Sequence, residues 1–378
     1  MMFIFPTLLS MKFQPFWLLL LMFFSAFPHS HAFNSSGIAS EANALMKWKA
    51  SLDKQSQASL SSWTANTSCN WLGIACDNSN HVSQINLQNI GLRGTLQNLN
   101  FSMLTNIHTL NLSNNFLNGS IPPQIGVLSN LVVLDLSANK LSGIIPSEIT
   151  QLISLQKLNM SYNTFSESLP QEIGRLKELR MLHVPWCNLI GTIPISIEQL
   201  NNLIHLDVGG NNLSGSISQR IWHMDLNHLS LAINNFHGSI PKEIVNMTNL
   251  EFLNLGGSGL SGTIPQEIDM LGKLKYLDIS RCNLSGHIPR EIGKLINLNN
   301  LKLYGNQFSG SIPPEIGFLR KLGELDLSHN FLSGKIPSTI GNLSNLNFLY
   351  LYYNQFSGLI PNEIGNLHSL LTIQLLGQ

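Results

Sequence analysis

The chain has 378 residues, enough for two or three ordinary domains, yet only 11% are charged, against roughly 25% in a typical soluble protein, while 65 are Leu and 42 are Asn. That composition predicts internal repetition rather than several unrelated domains. Lys plus Arg equals Asp plus Glu at 21 each, which excludes nucleic-acid or anionic-membrane binding as a main function, and 43% hydrophobic residues exclude a disordered polymer.

Residues 1–32 read as a secretory signal peptide. Lys12 supplies the positive start, Phe16 to Phe27 form an apolar run of 12 residues, and Ser30-His31-Ala32 gives the small residues needed for cleavage after Ala32. A run of that length is too short to span a bilayer, which takes roughly 20 residues. Residues 33–80 read as an N-terminal cap. Within it Ala44, Leu45, Trp48 and Leu52 recur at helical spacing over Glu41 to Leu52, followed by Cys69 and Cys76 with Trp63 and Trp71 beside them. Two close cysteines in an oxidising compartment are expected to form a disulfide. Ten Asn-x-Ser/Thr sequons agree with the secretory route: Asn34, Asn66, Asn100, Asn111, Asn118, Asn159, Asn212, Asn246, Asn283 and Asn342. Glycans on several of them would keep a nearly uncharged surface soluble.

Residues 81–378 repeat the frame L-x-L-x-x-N-x-L-x-G-x-I-P, best seen from Leu134 to Pro146. The position of Asn139 recurs at 90, 115, 163, 187, 211, 234, 258, 282, 306, 330, 354 and 378, giving 13 coils, 24 residues apart except for one step of 25 and one of 23. The fold class this predicts is an α/β repeat: a right-handed leucine-rich-repeat solenoid with a parallel sheet on its concave face and a helical, disulfide-bonded cap. L-x-L is a period-2 strand with both Leu inward, and the E-I-G-x-L-x-x-L stretch closes the far side. Asn at the frame position, present in 8 coils, is expected to bond backbone groups across adjacent coils. Gly119, Gly143, Gly191 and Gly310 sit where a positive φ is expected. Glu167 replaces that Gly and Ser218 replaces the following Pro, so local deviation is expected in those two coils. Cys187 and Cys282 occupy the Asn position and read as buried thiols rather than a redox or metal pair.

Outward positions on the strand face lie six, four, two and one residues before the ladder position. In the first coils they are bland: Gln84, Asn86, Thr109, Asn111, Val133, Asp135, Lys157 and Asn159. From the fifth coil Met181, His205, His228, Phe252 and Tyr276 form one column. His183, Asp207, Ser230, Asn254 and Asp278 stand beside it, Trp186 and Arg281 flank it, and Lys302, Tyr304, Tyr350, Tyr352 and Tyr353 follow. Aromatic, imidazole and basic side chains on a rigid sheet suit recognition of an extended peptide, with flat apolar contact giving area and polar neighbours fixing register. His183, His205, Asp207 and His228 fall on three adjacent strands, but an open sheet is not expected to converge them on a metal, and none is assigned. Their expected role is pH tuning, with protonation near pH 6 adding positive charge beside Asp207. No nucleophile elbow, zinc-protease motif, Walker loop or kinase glycine loop is present, so no catalytic residue and no cofactor are assigned.

The E-A-N-A-L-M-K-W-K-A-S-L helix, the S-W…C-N-W-L-G-I-A-C cap and the L-S-G-x-I-P coils together resemble the extracellular part of plant leucine-rich-repeat receptor-like kinases. The cap is most similar to the male-discoverer-interacting receptor-like kinase group. The resemblance implies a ligand-recognition domain on the extracellular side of the plasma membrane, a secreted peptide or protein as ligand and a shorter leucine-rich-repeat kinase as co-receptor. It also implies a second cap, a membrane span and a Ser/Thr kinase beyond Gln378. The last frame stops within a coil, as expected of a truncated gene model, an alternative transcript or a partial sequence. Terminal-carboxylate capture by an Arg-x-Arg pair is not expected, because no strand carries one, although Arg281 and Lys302 can each pair with an anionic group. The competing reading is a secreted inhibitor or decoy similar to polygalacturonase-inhibiting proteins; a defunct gene fragment is a third.

Overall fold

A computed structural model describes residues 35–64 and 67–375. The signal segment, the sequons at Asn34 and Asn66, and the last ladder position lie outside the described residues.

The cap is built around three tryptophans. A helix over Ser35–Ser51, starting six residues earlier than the apolar spacing alone indicates, buries Ala44, Leu45 and Trp48 and hands over to a buried Leu52. Trp48 packs on Trp63 with ring centroids 6.2 Å apart, and Trp63 stacks on Trp71 at 5.3 Å. Each indole N–H donates to a backbone carbonyl, those of Thr95, Leu72 and Thr64, so burial leaves none of the three indole N–H groups unpaired. Cys69 and Cys76 are joined by a disulfide. Glu41, 3% exposed, ties the helix to the first coil: its carboxylate accepts from His81 Nδ1 at 2.9 Å and from the Val82 N–H at 3.0 Å. A short second helix, Lys54–Ser59, is capped by Asp53, whose side chain accepts from the Ser56 N–H at 2.8 Å.

The coils stack their strands into one sheet of 14 strands among the described residues, in chain order. Ile74–Cys76 pairs antiparallel with Val82–Asn86, and the pairs that follow are parallel. Most of the strands are three residues long, such as Met181–His183 and His205–Asp207. Their central Leu, and the Leu or its substitute two residues on, point inward and are buried, as with Leu182 and Val184 or Leu206 and Val208. On the far side, short 3-10 turns such as Pro123–Val127 and Ser147–Gln151 carry the E-I-G stretch. The I-P proline caps their start: Pro122 and Pro146 both have φ −66°, the value the ring imposes.

A second row of strands was not foreseen from the sequence. Just after the ladder position, segments such as Phe116–Gly119 and Lys140–Gly143 pair between coils, making sheets of four, three and five strands. The first of these sheets ends at the coil of Glu167. There the strand is Thr164–Phe165 and the 3-10 turn shortens to Ile173–Arg175; strands equally short, Ile190–Gly191 and Ser261–Gly262, keep their Gly, so strand length is not owed to Glu167. At Ser218 the turn Gln219–His223 keeps its full length, because the Ser takes over the cap with φ −59° and accepts from the Arg220 N–H.

The ladder positions behave as their chemistry demands. Asn211 Nδ2 donates to the carbonyls of Val184, Val208 and Gly209, while its Oδ1 accepts from the Cys187 and Leu189 N–H groups. Cys187, buried, aims its thiol at the matching carbonyls of Met160 (3.0 Å) and Pro185 (3.6 Å), and Cys282 does the same toward Leu255 and Ser280. A thiol cannot take over the accepting half, so the carbonyl of Cys187 accepts the Phe165 N–H instead.

Candidate functional site

The parallel register brings the predicted column together residue for residue: Met181 opposite His205, then His228, Phe252 and Tyr276. Four of these side chains form a continuous stack. Ring centroids lie 4.0 Å apart for His205–His228, 4.1 Å for His228–Phe252 and 4.4 Å for Phe252–Tyr276, with planes within 15° of parallel. The spacing follows from that of the strands, roughly 4.8 Å. Each stacked pair contributes about 0.5–1.5 kcal/mol beyond area burial, so the row is a rigid ridge.

Stacking alters two sequence expectations. The faces of the rings cover one another, leaving them half-buried, so what remains for a ligand is a band of ring edges rather than flat faces. Protonation near pH 6 also does not hold. Burial, and then the neighbouring imidazoles, push His205 down to about 4 and His228 to about 3, and burial lowers His183 against the opposing pull of Asp207. His205 and His228 are therefore neutral in a mildly acidic medium.

The neighbouring column is partly consumed by the fold. Asp207 Oδ1 accepts from the Gly209 N–H at 2.9 Å, and Asp278 Oδ1 accepts from both the Ser280 N–H and its hydroxyl. One oxygen of each carboxylate therefore caps the turn, and only the other faces outward. Asp278 Oδ2 accepts from the Tyr276 hydroxyl at 3.3 Å. Asp207 Oδ2 lies 3.5 Å from His183 Nδ1, which in turn meets His205 Nε2 at 3.2 Å.

The flanking column holds a feature the sequence reading missed. The residue just before each ladder position is left-handed: Trp186 has φ 55°, Ile233 φ 50° and Arg281 φ 50°, each followed one coil on by a glycine, Gly210, Gly257 and Gly305. Each large side chain leans over the next coil's glycine. A Cβ on Gly210 would meet the Trp186 ring at 2.5 Å, and one on Gly305 would meet Arg281 Cγ at 3.1 Å. The signal was there to find, as alternation of a large residue and Gly in that column from Trp186 to Gly305.

Beyond Tyr276 the ridge gives way to a concavity of about 520 Å³ lined by Arg281, Lys302, Tyr304, Asp326, His329 and Tyr352. Arg281 lies over the Tyr304 ring, 5.3 Å from its centroid, while Lys302 is held by Glu324 Oε1 at 3.0 Å. Arg281 is thus the freer of the two cations for an anionic group. Tyr352 and Tyr353 pack on His329, and Tyr350 lies beside Phe348.

Fold and frame together define a leucine-rich-repeat solenoid with its N-terminal cap. Residues 38–77 match the leucine rich repeat N-terminal domain, and residues 105–190, 202–224, 249–271 and 277–378 match leucine-rich-repeat models. The chain belongs to the leucine-rich-repeat proteins, and its relatives are plant leucine-rich-repeat receptor-like kinases. It is 41% identical over 104 residues to a probable leucine-rich repeat receptor-like protein kinase of Arabidopsis thaliana, covering 26% of this chain and 9% of that protein. It is 38% identical over 102 residues to the MDIS1-interacting receptor like kinase 2 of the same plant, covering 26% and 10%. The match thus spans about a tenth of these relatives' length. The crystal structure of a TDR receptor superposes with TM-score 0.72 at 33% identity, covering 75% of this chain and 49% of that one. The plant peptide hormone receptor RGFR1 in complex with RGF2 gives 0.68 at 33%, covering 80% and 55%. No helix among the described residues is long and apolar enough to cross a membrane.

Proposed function

We propose that this chain is the ligand-recognising, extracellular part of a plant plasma-membrane receptor-like kinase, and that it takes an extended secreted peptide along coils five to ten. The observation that carries the reading is the unbroken row from Met181 to Tyr276 leading into the Arg281 concavity. Six coils at roughly 4.8 Å span about 24 Å, the length of some seven extended residues. Such a peptide lies across the ring edges, finds the outward oxygens of Asp207 and Asp278, and places an acidic group near Arg281. Similarity to a peptide hormone receptor solved with its peptide supports the reading. Binding then recruits a shorter leucine-rich-repeat co-receptor, and the signal leaves through a kinase on the same polypeptide.

Selection from a displayed library of extended peptides tests this. Enriched peptides are expected to bind the wild type and to lose at least tenfold in affinity to His205→Ala/His228→Ala/Phe252→Ala, provided the variant folds. Equal affinity for that folded variant would remove the ridge from the site.

A further inference from the structure

The sheet that was expected to hold its polar groups apart instead converges three of them. One ligand atom each of His183, His205 and Asp207 lies within 4.8 Å of the others, with His183 Nδ1 to His205 Nε2 at 3.2 Å and His183 Nδ1 to Asp207 Oδ2 at 3.5 Å. Donors about 2.0–2.2 Å from a tetrahedral ion stand roughly 3.3 Å from one another, and the two separations from His183 Nδ1, 3.2 and 3.5 Å, match that, with the third pair within 4.8 Å. Convergence arises because residues six and four before the ladder position share one strand face, and parallel register sets His205 and Asp207 beside Met181 and His183.

Two of the three donors are already oriented. The Gly209 N–H holds Asp207 through Oδ1 and leaves Oδ2 outward. His205 is clamped face to face on His228, 4.0 Å away, which fixes its ring plane. Supports of this kind pre-position metal ligands. Lys157, a cation whose charge acts on His183, is occupied by Asp135 at 3.3 Å. Without an ion the two imidazoles share a hydrogen bond through the same two nitrogens, so binding displaces that proton.

We propose that His183 Nδ1, His205 Nε2 and Asp207 Oδ2 form a site for one divalent transition-metal ion of the zinc type, at the cap-ward end of the ring ridge. Two imidazoles and one carboxylate are a donor set that suits zinc. Three protein ligands leave the outward position to water or to a carboxylate or imidazole of a bound ligand. The site stands on its own geometry and does not depend on the peptide reading.

The test uses the secreted, untagged chain and Zn²⁺ alone, followed by titration calorimetry at neutral pH. One ion per chain is expected, with affinity at least tenfold weaker in His205→Phe, which preserves the stack, and in Asp207→Asn, which preserves the Gly209 contact. Zn²⁺ is also expected to raise the thermal midpoint of the wild type and not of the variants. Absence of saturable binding into the millimolar range overturns the proposal, and so does wild-type affinity in both variants, which would put the ion on other histidines. Imidazole ¹⁵N signals of the unmutated protein give a readout independent of variant folding: those of His183 and His205 shift on Zn²⁺ addition, and unshifted signals overturn the site.

Discussion

At the scale of single residues the coil is held by side chains that answer backbone carbonyls. Asn211 serves three carbonyls and two N–H groups from within the core. Asn211→Ala strands several of them, each worth about 1–3 kcal/mol when buried and unpaired, so a loss of at least ~2 kcal/mol is expected in chemical denaturation. Burial pushes the Cys187 thiol up to about 12, so it is expected to resist maleimide until the chain unfolds, and prompt labelling of the native protein would contradict this. The ring ridge sets a pH dependence with a definite sign. His205 and His228 titrate near 6.5 when unfolded and near 4 and 3 when folded, so the unfolded chain binds more protons between those values. Their contribution is flat above about pH 6.5 and turns against folding as pH falls through that window. Replacing both by Phe is expected to lessen the fall in thermal midpoint between pH 6.5 and 4. That these residues share one column was legible in the sequence, because strand periodicity decides which face a side chain takes. It could not say that the rings would stack, nor what that does to their protonation, because rotamer and mutual burial carry no periodicity.

Among elements, the decisive contacts run between neighbouring coils. Trp186 rests on Gly210, which has φ 62°. Ile233 holds the equivalent backbone conformation one coil later, so φ alone does not require Gly; the Trp186 ring does. Gly210→Ala is expected to cost about 1–2 kcal/mol, and less in a Trp186→Ala background; equal penalties in both would show that the ring is not the cause. The cap helix and tryptophan cluster were legible from apolar spacing over Ala44 to Leu52. Lys54–Ser59 was not, since K-Q-S-Q-A-S has no apolar stripe. The second row of strands was equally hidden: segments as short as Ile190–Gly191 hold too few residues to show alternation, and their pairing comes from the stacking of the coils. On the cap-ward coils Asn111 and Asn159 are half-buried on the strand face, where their Nδ2 atoms donate to Gln88 and Asp135, while Asn100, Asn118, Asn212, Asn246, Asn283 and Asn342 are exposed, although Asn212 and Asn246 also donate, to Asn188 and the Glu243 carbonyl. Mass spectrometry of the secreted protein is expected to find glycans on the exposed sites and not on Asn111 or Asn159.

As a whole molecule the solenoid is a repeated scaffold on which one stretch departs from blandness. The first four coils present mostly polar and aliphatic groups, with Lys157 and the exposed Tyr162 as their large side chains, whereas coils five to ten present the stacked ridge and the concavity beside Tyr304. Fold and cap were legible because a 24-residue frame forces them. The chemistry of the face was legible only as residue types, since specificity here resides in variable positions that the frame leaves free. Carbene footprinting of the chain with a selected peptide bound tests the central claim most directly. Protection is expected on the outward groups between Met181 and Tyr304, with the faces of the first four coils unchanged. Protection confined to those first coils, or to the 3-10 turns on the far side, would contradict it.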